Sequence, residues 1–295
     1  MKKNGIFLSL MLVIILSLTG CGSDKASQAS ITIGSKNYTE NELLAHMMAD
    51  LIEHDTDLTV DRKVNLGGSD LAWKALKSND IQLYPEYTGT VVTNYYQQET
   101  GNAEETLHKA RELLKQDHIV FPANFGFNNT YTLAVKKETA AKYNLKTFSD
   151  VIEVADQLVF GSEFEFKDRP DGYPGLQAMY GMEFKKVKAM DRGIMYRSLL
   201  GDYVDVINAF STEGQIITND LVILEDDRGF FPPYHAGAVI REDVLAKYPE
   251  LEATLQKLEG LLNEELMQKL NAEVDSEGLK AEKVAKDFLK EQGLI

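Results

Sequence analysis

The stretch SITIGSKNYTENELLAHMMADLIEH, residues 30–54, carries both periodicities on which the fold turns. Ser30 to Gly34 is a short run with β-branched residues and a terminal glycine, which predicts a strand. Leu43, Leu44, Met47, Met48, Leu51 and Ile52 then recur at helical spacing, which predicts a helix over 40–54. Strand, polar-aromatic turn and helix make one βα unit.

The unit recurs outward from there. Leu58 to Leu66 alternates like a strand, Ser69 stands where it would cap a helix carrying Leu71, Ala72, Ala75 and Leu76, and Ile81 to Tyr84 is again strand-like. Helices are predicted at about 88–98 and 103–117, then a short strand at His118 to Phe121. Thr130 to Val135 opens a second series, with strands near Leu158 to Gly161, Val204 to Asn208, Leu221 to Leu224 and Ala236 to Ile240. The amphipathic helices Glu250 to Leu262 and Glu264 to Val274 read as packing helices without chemistry. Alternating βα units predict an α/β fold with helices on both sheet faces, and the length suits two lobes.

The N-terminus carries an address. Lys2 and Lys3 precede an apolar run from Ile6 to Leu18, short of the ~20 residues a membrane span needs. The run ends in Leu18-Thr19-Gly20-Cys21, which resembles the lipobox of bacterial lipoproteins. Residues 1–20 are therefore expected to be a signal peptide, with Cys21 lipidated and 22–30 (GSDKASQAS) a polar tether. The expected location is the extracytoplasmic face of the cell membrane. Cys21 is the sole cysteine, so no internal disulfide can form.

The formal charge of −15 argues against nucleic acid as a partner, because a phosphate backbone calls for a basic face. The sequence has no phosphate loop, no Gly-x-Gly-x-x-Gly turn and no nucleophile elbow. His46, His54, His108, His118 and His235 are scattered and lack metal-ligand spacing. No catalytic residue, cofactor or metal is expected, and the chain is not expected to be an enzyme.

Six polar-aromatic clusters sit at strand-to-loop junctions instead: residues 35–40 (SKNYTE), 84–90 (YPEYTGT), 127–131 (FNNTY), 164–172 (FEFKDRPDG), 209–214 (AFSTEG) and 230–234 (FFPPY). Ligands of α/β sheets gather at the carboxyl ends of strands. Several aromatic faces around one point make a cage for a cation that donates no hydrogen bond, such as a quaternary ammonium. Lys36 and Arg169 could hold the carboxylate at the other end of a betaine.

With YPEYTGT (84–90), GFNNTY (126–131), RPDG (169–172), AFSTEG (209–214) and EDDRGFFPPY (225–234), the chain resembles the substrate-binding lipoproteins of ABC importers for glycine betaine, choline, carnitine and related osmoprotectants. The resemblance runs from Ile31 to Ile295. It implies a two-lobed, type II periplasmic-binding-protein-like fold with a hinge and an interlobe cleft. Lobe one would be 31–129 plus 236–295, and lobe two 130–235. The cage would be Tyr87, Tyr131, Phe210 and Tyr234, the carboxylate contacts Lys36, Thr90 and Arg169, and Asn129 would line the pocket near the ammonium. Phe210 stands where the family often has Tyr, and Asn129 where it often has Asp. The implied partners are the small quaternary-ammonium ligand, an ABC permease and, through the lipid, the membrane; the chain is expected to act as a monomer. A zwitterion such as ergothioneine or an amino acid is the alternative ligand, with Asp70 and Glu86 as acidic groups for a primary ammonium.

Overall fold

Two sheets organise the chain in a computed structural model that describes residues 29–168 and 172–295. Cys21 with its expected signal and lipid, and Arg169, lie outside the described residues. The first sheet contains β1 (Ser30–Gly34), β2 (Thr59–Lys63), β3 (Leu83–Tyr87), β4 (Ile119–Val120), β5 (Asn124–Asn128) and, from much later in the chain, β11 (His235–Arg241). The second contains β6 (Tyr131–Lys136), β7 (Val159–Ser162), β8 (Lys186–Ala189), β9 (Val206–Phe210) and β10 (Leu221–Leu224). The orders are β2-β1-β3-β11-β4, with β5 also on β11, and β10-β6-β9-β7-β8. β1 runs parallel to β2 and β3, whereas β11 is antiparallel to β3. Both sheets are flanked by helices, and inner strands such as Leu83–Tyr87 are buried along their whole length, as double-sided cover requires.

The opening helix forms as its spacing predicts, over Thr39–Asp55, and buries Leu43, Leu44, Met47, Met48, Leu51 and Ile52. It packs against the helix Ala281–Glu291, whose Val284, Ala285, Phe288 and Leu289 cover it from the far side. A separate core under the second sheet gathers Phe148, Phe160, Phe166 and Phe231. Among the described residues, no helix is long and apolar enough to cross a membrane.

Local readings needed correction. Ser69 does not cap its helix: the helix begins at Ser69, Gly68 takes the cap position, and no side chain caps it. The helix expected over 88–98 is a short turn, Thr88–Thr90, followed by one wider turn, Val91–Tyr95. β5, reading NFGFN, alternates with Phe125 and Phe127 buried, but it offers only two apolar residues set among Asn and Gly, which are depleted in strands, so its sequence does not read as one. β8, reading KVKA, is too short and too charged to announce itself.

The chain passes from the first sheet to the second between Asn128 and Tyr131, and returns between Leu224 and His235. Hydrogen bonds tie these two crossings together. The Asn129 backbone N–H donates to the Tyr234 carbonyl at 3.1 Å, and the Tyr234 N–H to Asn128 Oδ1 at 2.6 Å. A third junction joins the helix Gly214–Thr218 to the helix Glu264–Asp275. Gly214 permits it, since a Cβ there would stand 2.6 Å from the Ala272 nitrogen.

Candidate functional site

A cleft of about 1310 Å³ opens between the two sheets, and Lys36, Tyr87, Thr90, Asn129, Tyr131, Phe210 and Tyr234 all line it. Residues more than 190 positions apart in sequence meet there because strand ends from both sheets point inward. Tyr87 closes β3 and Thr90 lies in the turn that follows. Tyr131 opens β6 and Phe210 closes β9; the antiparallel register pairs them directly, with ring centroids 4.3 Å apart. Phe166 supports Tyr131 from beneath, 5.1 Å between centroids. Tyr234 stands just before β11, and its ring packs where a side chain on Gly89 would collide: a Cβ there would lie 2.6 Å from it.

The Lys36 ammonium forms an ion pair with Glu86 Oε1 at 2.5 Å, and both side chains are almost dry. Glu86 also accepts from Tyr84 Oη at 2.9 Å, from Tyr95 Oη and from the Tyr87 backbone N–H at 2.7 Å. Glu86 is thus sealed beneath the cleft floor and does not present itself to a primary ammonium. An ammonium has three donors and Glu86 accepts one, so Lys36 keeps capacity toward the cleft, where its Nζ lies 5.1 Å from the Tyr87 ring centroid. Asp70 stands at the exposed rim and accepts from Asn94 at 2.9 Å.

Glu40 closes the first of the six clusters, but its sequence context marked only a helix start. In the structure it is buried in the cleft wall and takes hydrogen bonds from Tyr87 Oη at 2.6 Å, Asn129 Nδ2 at 2.8 Å, Asn271 Nδ2 at 3.3 Å and the Thr212 side chain. Burial pushes its carboxyl above the ordinary value, and these hydrogen bonds offset that only in part. Burial likewise holds the Tyr87 phenol well above the usual range, so it stays a protonated donor.

Arg192 was not anticipated either, since no motif surrounds it. It opens the helix Arg192–Leu200, and its Nε and Nη2 reach the two oxygens of Glu163 at 2.9 and 3.0 Å. Its Nη1 reaches Glu213 at 2.5 Å, and Tyr196 donates to the same carboxylate. The guanidinium carbon lies 4.8 Å from the centroid of Phe210, so a cation already rests against that ring. The helix Glu264–Asp275, read as packing only, also contributes: Gln268 and Asn271 donate to the Ser211 and Thr212 carbonyls at 2.7 and 2.8 Å. Among the described residues, no group of His, Cys, Asp and Glu could hold a metal ion.

Residues 29–291 match the family model of the substrate-binding domain of ABC-type glycine betaine transport systems. The chain is 36% identical to the carnitine transport binding protein OpuCC of Listeria monocytogenes, covering 98% of this chain and 97% of that one. It is also 36% identical to the ergothioneine transport permease/ergothioneine binding protein EgtU of Helicobacter pylori, over 98% of this chain and 52% of that longer protein. A solved glycine betaine/carnitine/choline ABC transporter structure superposes with a TM-score of 0.87 at 34% identity, covering 91% of this chain and 99% of the other. The architecture is that of type II periplasmic binding proteins.

Proposed function

The chain belongs to the family of substrate-binding domains of ABC-type glycine betaine transport systems, and from that premise we propose that its cleft captures a quaternary-ammonium compound and hands it to a membrane permease. It is a binding component and not an enzyme. The observation that carries the ligand class is the meeting of Tyr87, Tyr131, Phe210 and Tyr234 on one cleft. Their faces suit a cation that is large, soft and unable to donate hydrogen bonds. Thr90, Lys36 and Arg169 are our candidates for the carboxylate end, and Asn129 for the ammonium end. The lobes would be 31–129 with 236–295, and 130–235, closing about the two hydrogen-bonded crossings so that the permease reads the closed form as loaded. A monomer held by a lipid on Cys21 and a polar tether leading up to β1, which begins at Ser30, would keep this clamp on the outer face of the membrane.

Within that class, glycine betaine, choline and carnitine are the first candidates. The 36% identity to the ergothioneine-binding relative keeps the bulkier ergothioneine as the alternative. Titration calorimetry with these four ligands and a primary-amine amino acid tests the reading. The quaternary compounds are expected to bind, and Tyr87→Ala or Tyr234→Ala should each lose roughly 1–2 kcal/mol of affinity. Binding of the amino acid alone, or parental affinity in both variants, would refute the cage.

A further inference from the structure

Of the buried carboxylates around the cleft, Glu40 is the one with no cation partner among the described residues. Lys36 is neutralised by Glu86, and Arg192 lies between Glu163 and Glu213. Asp70 and Asp275 are exposed at the rim, where water screens them. Glu40 is different: it is buried, it lines the cleft, and among the described residues its hydrogen-bond partners are all neutral. A buried carboxylate without a counter-charge is unfavourable, so the site is electrostatically unfinished until a cation or a proton arrives. The place is also telling. Glu40 accepts from Tyr87, a proposed cage ring, and from Asn129, our candidate for the ammonium end.

We propose that Glu40 supplies the negative charge facing the ligand's quaternary ammonium, so that ligand and proton compete for its carboxylate. The assignment rests on the quaternary-ammonium reading above. Binding of the cation to protonated Glu40 breaks the carboxyl O–H bond and releases that proton to solvent. The ionisable groups around Glu40 are Tyr38 from the preceding turn, Tyr87 and Glu86 from β3, Lys36 beneath the Tyr87 ring, Asp275 from the helix Glu264–Asp275, and Arg192 with Glu213 from the opposite wall. Burial raises the Glu213 carboxyl as well, but Arg192 at 2.5 Å and the Tyr196 hydroxyl already hold it, whereas Glu40 has only neutral hydrogen-bond partners among the described residues, so Glu40 is the carboxyl that an incoming cation completes. Its carboxyl sits above the ordinary value, which sets the sign: affinity is weak at pH below that value and rises as the carboxyl ionises.

The test is calorimetry with choline and with glycine betaine, in phosphate and in Tris, whose ionisation heats differ, from mildly acidic to mildly alkaline pH. The parent should release a proton on binding, and its affinity should fall by roughly tenfold per pH unit below the carboxyl's titration. Glu40→Gln keeps a similar shape and should abolish both the proton release and the pH dependence, while weakening binding roughly tenfold or more at alkaline pH. If Glu40→Gln keeps the parent's affinity and pH profile, the assignment is wrong and the cage stands. A parent that binds neither ligand at any pH sinks the quaternary-ammonium reading, and this assignment with it. Asn129→Asp serves if the Gln variant does not fold. It places a second carboxyl beside Glu40, so the pH midpoint of binding should move up; an unmoved midpoint overturns the proposal.

Discussion

The two walls of the cleft hold their cations in opposite ways. On the wall of the first sheet, the Lys36 and Glu86 side chains are 4% and 0% exposed, and the pair is wrapped by Tyr84, Tyr95 and the Tyr87 backbone. On the wall of the second sheet, Arg192 is 43% exposed and held by Glu163 and Glu213 at the mouth of the cleft. Water decides the difference. A dry pair cannot exchange partners without leaving a bare charge, so the first wall is fixed before any ligand arrives. A cation that is itself partly wet is cheaper to move than a dry one, so the second wall can adapt more readily as the lobes move.

The largest effect should come from breaking the dry pair. Glu86→Gln leaves Lys36 buried without its counter-charge and should destabilise the protein by about 3–5 kcal/mol in denaturant unfolding. Removing both partners together, as in Lys36→Met with Glu86→Leu, should restore much of that loss. If the single change is tolerated, the first wall is wetter than the geometry implies.

The junction between the walls comes next. Gly214→Val would push a side chain against the Ala272 backbone, where even a Cβ meets nitrogen at 2.6 Å. The expected cost is about 1–3 kcal/mol of thermal stability, typical of overpacking. Small-angle scattering should show the lobes further apart, because this junction crosses between them. Arg192→Gln should matter least for stability, about 1 kcal/mol, because Arg192 is 43% exposed although Glu163 and Glu213 are only 22% and 16% exposed. A loss as large as that of Glu86→Gln would erase the contrast between the walls.

Legibility in the sequence divided along similar physical lines. The opening βα unit was readable because Leu43, Met47 and Leu51 repeat at a period that only a helix places on one face. The aromatic residues were readable as a set because strand ends of an α/β sheet are where ligand groups collect. β5 was not, since its two phenylalanines stand among Asn and Gly, which strands disfavour. Arg192 carried no local signal, because its importance comes from lying over Phe210, a residue of another strand. Asn271 looked like one more polar position on a packing helix until the fold set it against Thr212 and Glu40.

The chain by itself determined the βα alternation, the acidic balance, the family motifs and the types of side chain offered to a ligand, because these follow from local periodicity and composition. Only the tertiary structure decided which charges are already paired. It placed Lys36 on Glu86 and Arg192 between two carboxylates, and it left Glu40 among neutral donors. Pairing depends on distance and on exclusion of water, and neither is written in the order of residues along a chain.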